Sequence, residues 1–139
     1  MMSKQCPFCG GTMEQKTIKT IFEYKDQSIE VDQPGMYCDS CEEGILSRED
    51  HKATEKEIHD LHARVDGLLM SDEIKTIRKS LDLTQQEASE LFGGGVNAFS
   101  RYERGETMHS KSLDQLLKIL RKHGNNILDE IKAEENKAA

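Results

Sequence analysis

The chain contains no tryptophan, only two prolines, and aromatic side chains at 5% of its 139 residues. So few large apolar groups cannot fill one extensive core, and a helical protein with modest, separate cores is expected. A length of this size accommodates one domain or two small ones, the smallest of which need a staple such as a metal. No apolar run approaches the roughly 18 residues that cross a bilayer. The opening Met1-Met2-Ser3-Lys4-Gln5-Cys6 lacks the apolar stretch of a secretory signal, so a cytoplasmic protein without a membrane partner is expected. Ser, His and acidic residues occur, but none lies in a nucleophile motif, and no catalytic residue or organic cofactor is assigned.

Cysteine is scarce as well, with four residues arranged as Cys6-x2-Cys9 and Cys38-x2-Cys41. In a reducing compartment two close pairs point to metal or redox chemistry rather than to structural disulfides. Two such knuckles close a tetrahedral Zn²⁺ site through four thiolates, with no position left for a substrate. The 28 residues between the pairs exceed the usual spacing of roughly 15–20, and a hairpin is expected to take up the excess. Two alternatives stay open: another metal such as iron, or a thiol oxidoreductase built on Cys6-Pro7-Phe8-Cys9. The redox motif normally heads a helix in a βαβ fold, and nothing around Cys6 predicts one.

Thr17 to Tyr24 and Ser28 to Val31 read as two strands around a Lys25-Asp26-Gln27 turn, after which Pro34-Gly35 is expected to turn the chain towards Cys38. Ser47 is the expected cap of a helix running to about Val65, with Ile58, Leu61, His62 and Val65 on its buried side. His51, His59 and His62 read as solvated or half-buried helix residues rather than as a second metal site. Residues 67–70 read as a linker, with Gly67 ending one helix and Ser71 capping the next. The expected architecture is therefore an α+β zinc-binding module over residues 1–66 and an all-α helix-turn-helix domain over residues 71–139. No internal repeat is visible.

The second half reads as helical throughout. Thr84-Gln85-Gln86-Glu87 is a capping box that starts a helix ending at Phe92, and Gly93-Gly94-Gly95 must be a turn. A third helix is expected from about Val96 to Arg104, with Val96, Phe99 and Tyr102 facing inward. Asn97 and Arg101 then share the outward face. Ser112-Leu113-Asp114-Gln115 reads as a further capping box before a stripe of leucines, followed by Gly124, a short final helix around Ile127, Leu128 and Ile131, and a frayed tail from Ala133. The formal charge of −7 argues against DNA binding until it is divided. Through Met70 there are 8 Lys and Arg against 14 Asp and Glu, and from Ser71 onward 11 against 12. A near-neutral second half can still gather its cations on one face.

Leu83 to Gly105 resembles the helix-turn-helix of the Xre/Cro repressors without a gap. Ser89 stands at the small residue where the two helices cross, Gly93 at the turn, Phe99 at the apolar anchor, and Ser100-Arg101-Tyr102-Glu103-Arg104-Gly105 matches the S-R-x-E-x-G ending. Asn pairs with adenine and Arg with guanine in bidentate fashion, so Asn97 and Arg101 are the natural base readers. Ser100 and Arg104 are assigned to the same DNA-binding surface.

From Cys6 to about Ile131 the chain resembles the MqsA-type antitoxins, also described as YgiT-type zinc-finger proteins. The run from Gly93 to Glu103 carries the resemblance most strongly, and Gly35-Met36-Tyr37-Cys38 with Cys41-Glu42-Glu43 match that group's second zinc knuckle. The resemblance implies an antitoxin and autorepressor. Its zinc domain would neutralise an mRNA-cleaving ribonuclease toxin, and its C-terminal domain would form a homodimer on a palindromic operator. An acidic first half suits a partner that grips RNA with basic surface. A zinc-containing regulator without a toxin is the alternative.

Overall fold

The computed structural model describes residues 3–138, and its contacts divide the chain between Leu61 and His62 into two compact units. The first holds a four-stranded antiparallel sheet in the order β1 (Ser3–Gln5), β2 (Thr12–Tyr24), β3 (Gln27–Cys38) and β4 (Gly44–Ile45). The hairpin is longer and its turn tighter than expected. Lys25 takes a positive φ of 54° in the turn, and β2 and β3 pair from Tyr24–Gln27 as far as Met13–Cys38. Pro34 and Gly35 therefore lie within β3 and do not turn the chain. Proline is tolerated there because β4 pairs only with Met36 and Tyr37, which leaves Pro34 near an edge. A Cβ at Gly35 would come within 2.5 Å of Leu46 Cδ2 and 3.1 Å of the Tyr37 ring, so a larger residue there would have to displace both side chains.

Alternate β3 residues Val31, Gln33, Gly35 and Tyr37 are buried, the period-2 pattern of a one-faced strand. Their cover is the first part of α1 (Arg48–Asp66). Gln33 donates to the Asp50 carbonyl at 2.8 Å and accepts from the buried Thr54 hydroxyl at 3.0 Å, so a polar side chain locks helix to strand. Ser47 caps α1 as expected: its hydroxyl accepts from Asp50 N–H at 3.2 Å, and Asp50 accepts from Ser47 N–H at 2.9 Å. Beyond Met13, the core around the cysteines has only half-buried Met36 and Ile45 to add. That is too little apolar surface to hold the cysteine end of the sheet unaided.

The second unit is helical: α2 (Ser71–Ser80), α3 (Gln85–Phe92), α4 (Ala98–Glu103), α5 (Lys111–His123) and α6 (Asn125–Ala138). Ile74, Ile77, Phe99, Leu117 and Leu120 are almost wholly buried in one continuous core. Two caps fall one or two residues ahead of the serines expected to make them. Met70 caps α2, its N–H bonded to Glu73 at 3.0 Å, and Ser71 is buried inside the first turn. Ser110, not Ser112, caps α5 by accepting from Leu113 N–H at 3.1 Å.

Asp114, free of capping duty, is 1% exposed and accepts from Leu69 N–H at 2.6 Å, His109 Nε2 at 2.8 Å and Lys118 Nζ at 2.7 Å. Burial alone would raise its carboxyl, but these three bonds outweigh it and hold the group below the usual carboxylate range. Residues 67–70 are thereby fastened within this unit, with Leu69 in its core and the Gly67 carbonyl bonded to Lys118. α6 is longer than a short final helix and takes in the stretch expected to fray as far as Ala138, Ala139 lying outside the described residues.

Candidate metal centre and helix-turn-helix surface

The two cysteine knuckles share one backbone pattern. Cys6 N–H donates to Gly11 and its carbonyl accepts from Gly10, while Cys38 N–H donates to Glu43 and its carbonyl accepts from Glu42. Gly10 and Glu42 follow the second cysteine of each pair, and both adopt positive φ, 81° and 64°. Glu42 thus stands where the first knuckle uses glycine, a match visible only once the fold is known. Gly11 N–H points at Cys9 Sγ and Ser40 N–H at Cys38 Sγ, each at 3.4 Å.

All four sulfurs lie within 4.8 Å of one another, with Cys6–Cys41 at 3.7 Å and Cys9–Cys38 at 3.5 Å. A tetrahedron of sulfurs about 2.3 Å from zinc has edges of about 3.8 Å, so the spacing fits Zn²⁺. The protonation chemistry agrees. N–H groups of Cys41 and Ser40 favour the Cys38 thiolate and lower it to about 6. At Cys41 the Glu43 N–H also favours the thiolate, but burial and the three other sulfurs outweigh it and push the thiol to about 12. Four thiolates this close need a cation between them. The donor set therefore fits a structural zinc held by Cys6, Cys9, Cys38 and Cys41, and its four thiolates leave no open coordination position. Cys9 is followed by a turn and β2, not by the helix that activates a redox Cys-x-x-Cys pair. Among the described residues this is the one cluster of potential metal ligands. His51 is exposed and His59 and His62 are half-buried, as expected.

In the second unit Thr84 and Glu87 form the expected reciprocal cap of α3, with bonds of 3.1 and 3.0 Å. Ser89 is the hinge of the motif. Its hydroxyl donates to the Gln85 carbonyl at 2.8 Å and accepts from Phe99 N–H at 3.1 Å, joining the middle of α3 to the first turn of α4. A small residue is needed for this approach, and a hydroxyl adds a bond. Gly93, Gly94 and Gly95 all have positive φ, and a Cβ on Gly94 would lie 2.7 Å from the Tyr102 hydroxyl.

This turn delays α4. It begins at Ala98 and not at Val96, because Asn97 sits at its N-cap in the left-handed region at φ 64°, which Asn tolerates better than most residues. Val96 consequently falls outside the helical repeat and does not face inward. It is 84% exposed, whereas Phe99 is wholly buried and Tyr102 half-buried. The Asn97 side chain makes no capping bond. Arg101 stands one turn on, its N–H bonded to the Asn97 carbonyl, its Nη2 3.4 Å from the Gly94 carbonyl, and its Nε without a partner among the described residues. Ser100 is half-buried, and Arg104 is exposed and pairs with Glu106 at 3.2 Å.

Glu103 is buried and forms a two-pronged ion pair with Arg78 of α2 at 2.7 and 2.9 Å. Arg78 also donates to the Leu83 carbonyl, and Gln85 adds a bond to Glu103. Sequence reading missed Arg78, since nothing local links it to a partner 25 residues away.

Over residues 4–132 the chain matches the family described as the antitoxin component of a bacterial toxin-antitoxin system, MqsA. It is also 46% identical over 99 residues to Antitoxin MqsA of Escherichia coli strain K12, covering 70% of this chain and 75% of that protein. With its four-cysteine centre on the sheet and its helical second unit, the chain belongs to the MqsA family of antitoxins.

Proposed function

We propose that this antitoxin neutralises an mRNA-cleaving ribonuclease toxin through its zinc-bearing unit and represses its own operon, as a homodimer on a palindromic operator, through its helical unit. Asn97 and Arg101 read bases in the major groove, and Ser100 and Arg104 contact DNA beside them. The observation that carries the DNA-reading half is that Asn97, at the start of α4, spends no side-chain bond on capping and precedes Arg101 by one turn. Half-exposed Leu116 and exposed Ile119 offer apolar surface on α5 for a second copy. No helix among the described residues is long and apolar enough to cross a membrane, which accords with action in the cytoplasm. A short reading helix makes few base contacts, so two copies on half-sites about 10 bp apart supply the specificity.

Binding to operator and to scrambled duplex at one salt concentration tests this. Asn97→Ala and Arg101→Ala are each expected to cost about 1–3 kcal/mol of discrimination at one base position per half-site. Wild-type preference in both variants would show that α4 does not read the sequence.

For the toxin, the support is charge. Glu14, Glu23, Asp26, Glu30, Asp39 and Glu43 are all exposed on the first unit, a counterpart to a basic RNA-binding surface. The product of the adjacent gene is expected to co-purify with the full chain and to lose its mRNA-cleaving activity in the complex. Failure of that product to bind, with DNA binding intact, would leave a zinc-containing regulator without a toxin.

A further inference from the structure

We propose that Val96 is a specificity-determining residue that contacts the C5-methyl group of a thymine in the major groove. The inference rests on α4 being the reading helix. Val96 is the most exposed large hydrophobic side chain among the described residues, at 84%. A single exposed valine is ordinary in itself; its placement is not. It precedes Asn97 directly, and with Gln86, Ser89, Glu90, Gly95 and Asn97 it lines a cleft of about 480 Å³ at the mouth of the helix-turn-helix.

The loop that presents it is fixed on both sides. Gly94 is pressed against Tyr102, the Gly95 carbonyl accepts from Ala98 N–H at 3.2 Å, and the Asn97 carbonyl accepts from Arg101 N–H at 3.1 Å. A β-branched side chain has few rotamers to lose on contact, so little entropy opposes the docking of its methyl groups. An isopropyl group neither donates nor accepts a hydrogen bond. The one apolar feature on the base edges of the major groove is the thymine methyl, which cytosine lacks. Val96 therefore adds T-over-C discrimination beside the base pair that Asn97 reads, where hydrogen bonding alone has no purchase on a methyl group.

The test uses the full chain and the tightest duplex it selects from a randomised pool. Each thymine is replaced in turn by deoxyuridine, which removes only the methyl. Wild-type chain is expected to lose about fourfold in affinity at one thymine per half-site, the effect of one buried methyl. Val96→Ala is expected to melt like wild type and to bind the thymine and deoxyuridine duplexes equally. The proposal is overturned if no thymine responds, or if Val96→Ala keeps the wild-type response. Asn97→Ala and Arg101→Ala on the same duplex separate the two levels: loss of preference there with no methyl response at Val96 defeats this inference alone, whereas retained preference in both defeats the reading of α4 itself.

Discussion

Replacing Cys38 with Ser is expected to abolish stoichiometric zinc binding and to unfold the sheet unit while the helical unit keeps its structure. The reason lies in the sizes of the two energies. A structural four-ligand zinc contributes on the order of 10 kcal/mol in apparent binding free energy at neutral pH, and that energy is folding energy wherever the site does not exist in the unfolded chain. A whole domain is stable by only about 5–15 kcal/mol. Buried Met13 and three partly or wholly buried cysteines cannot replace the metal's share. Elemental analysis and amide exchange read the result. Zinc near zero, fast exchange across β2 and β3, and slow exchange retained at Phe99 and Leu117 are expected. Protein with no zinc and a well-protected sheet would overturn the assignment. On the proposed function, neutralisation of a toxin should fail in this variant, and operator binding should survive.

Glu103→Gln is expected to destabilise the helical unit by about 3–5 kcal/mol, because it strands the Arg78 guanidinium in a site where the ion pair is 10% and 3% exposed. In a unit of this size the thermal midpoint should fall by more than about 10 °C. Replacing both partners with methionine removes the stranded charge and is expected to recover most of the loss. Thermal or urea unfolding of wild type, Glu103→Gln and the Arg78→Met, Glu103→Met double variant measures it. Equal destabilisation of the single and double variants would show that packing, and not an unpaired charge, sets the cost. The effect should reach DNA binding through position: Glu103 ends α4, and Arg78 ties that end to α2 and Leu83.

What was readable in the sequence depended on how local its cause was. The cap at Thr84 and Glu87, the glycine turn and the two cysteine knuckles each rest on residues a few positions apart, and the structure places them as read. Ser112 and Gln115 have the spacing of a capping box, but the helix starts two residues earlier, where the Ser110 hydroxyl accepts from Leu113 N–H. Where two local signals competed, a distant partner decided. Pro34-Gly35 has the composition of a turn, yet cross-strand pairing with Thr17 and Lys16 keeps it extended. Val96 does not face inward because the left-handed backbone of Asn97 breaks the phase of the helical repeat that would place it there. Arg78 left no trace, as its role exists only once α4 is folded against α2.

The split between presentation and framework in the helix-turn-helix bears on how such systems diversify. Val96 and Asn97 stand outside the packed frame, while Ser89, Phe99 and the Arg78–Glu103 pair hold the geometry from within. Exchanging Val96 costs the fold little, since surface substitutions away from caps and cores usually stay within about 0.5 kcal/mol, whereas position 97 is held to residues that accept its left-handed backbone. On the proposed function, duplicated copies of this gene in one cell can therefore drift apart in operator preference by outward changes such as those at Val96, without passing through an unfolded ancestor, and so become insulated from one another's promoters.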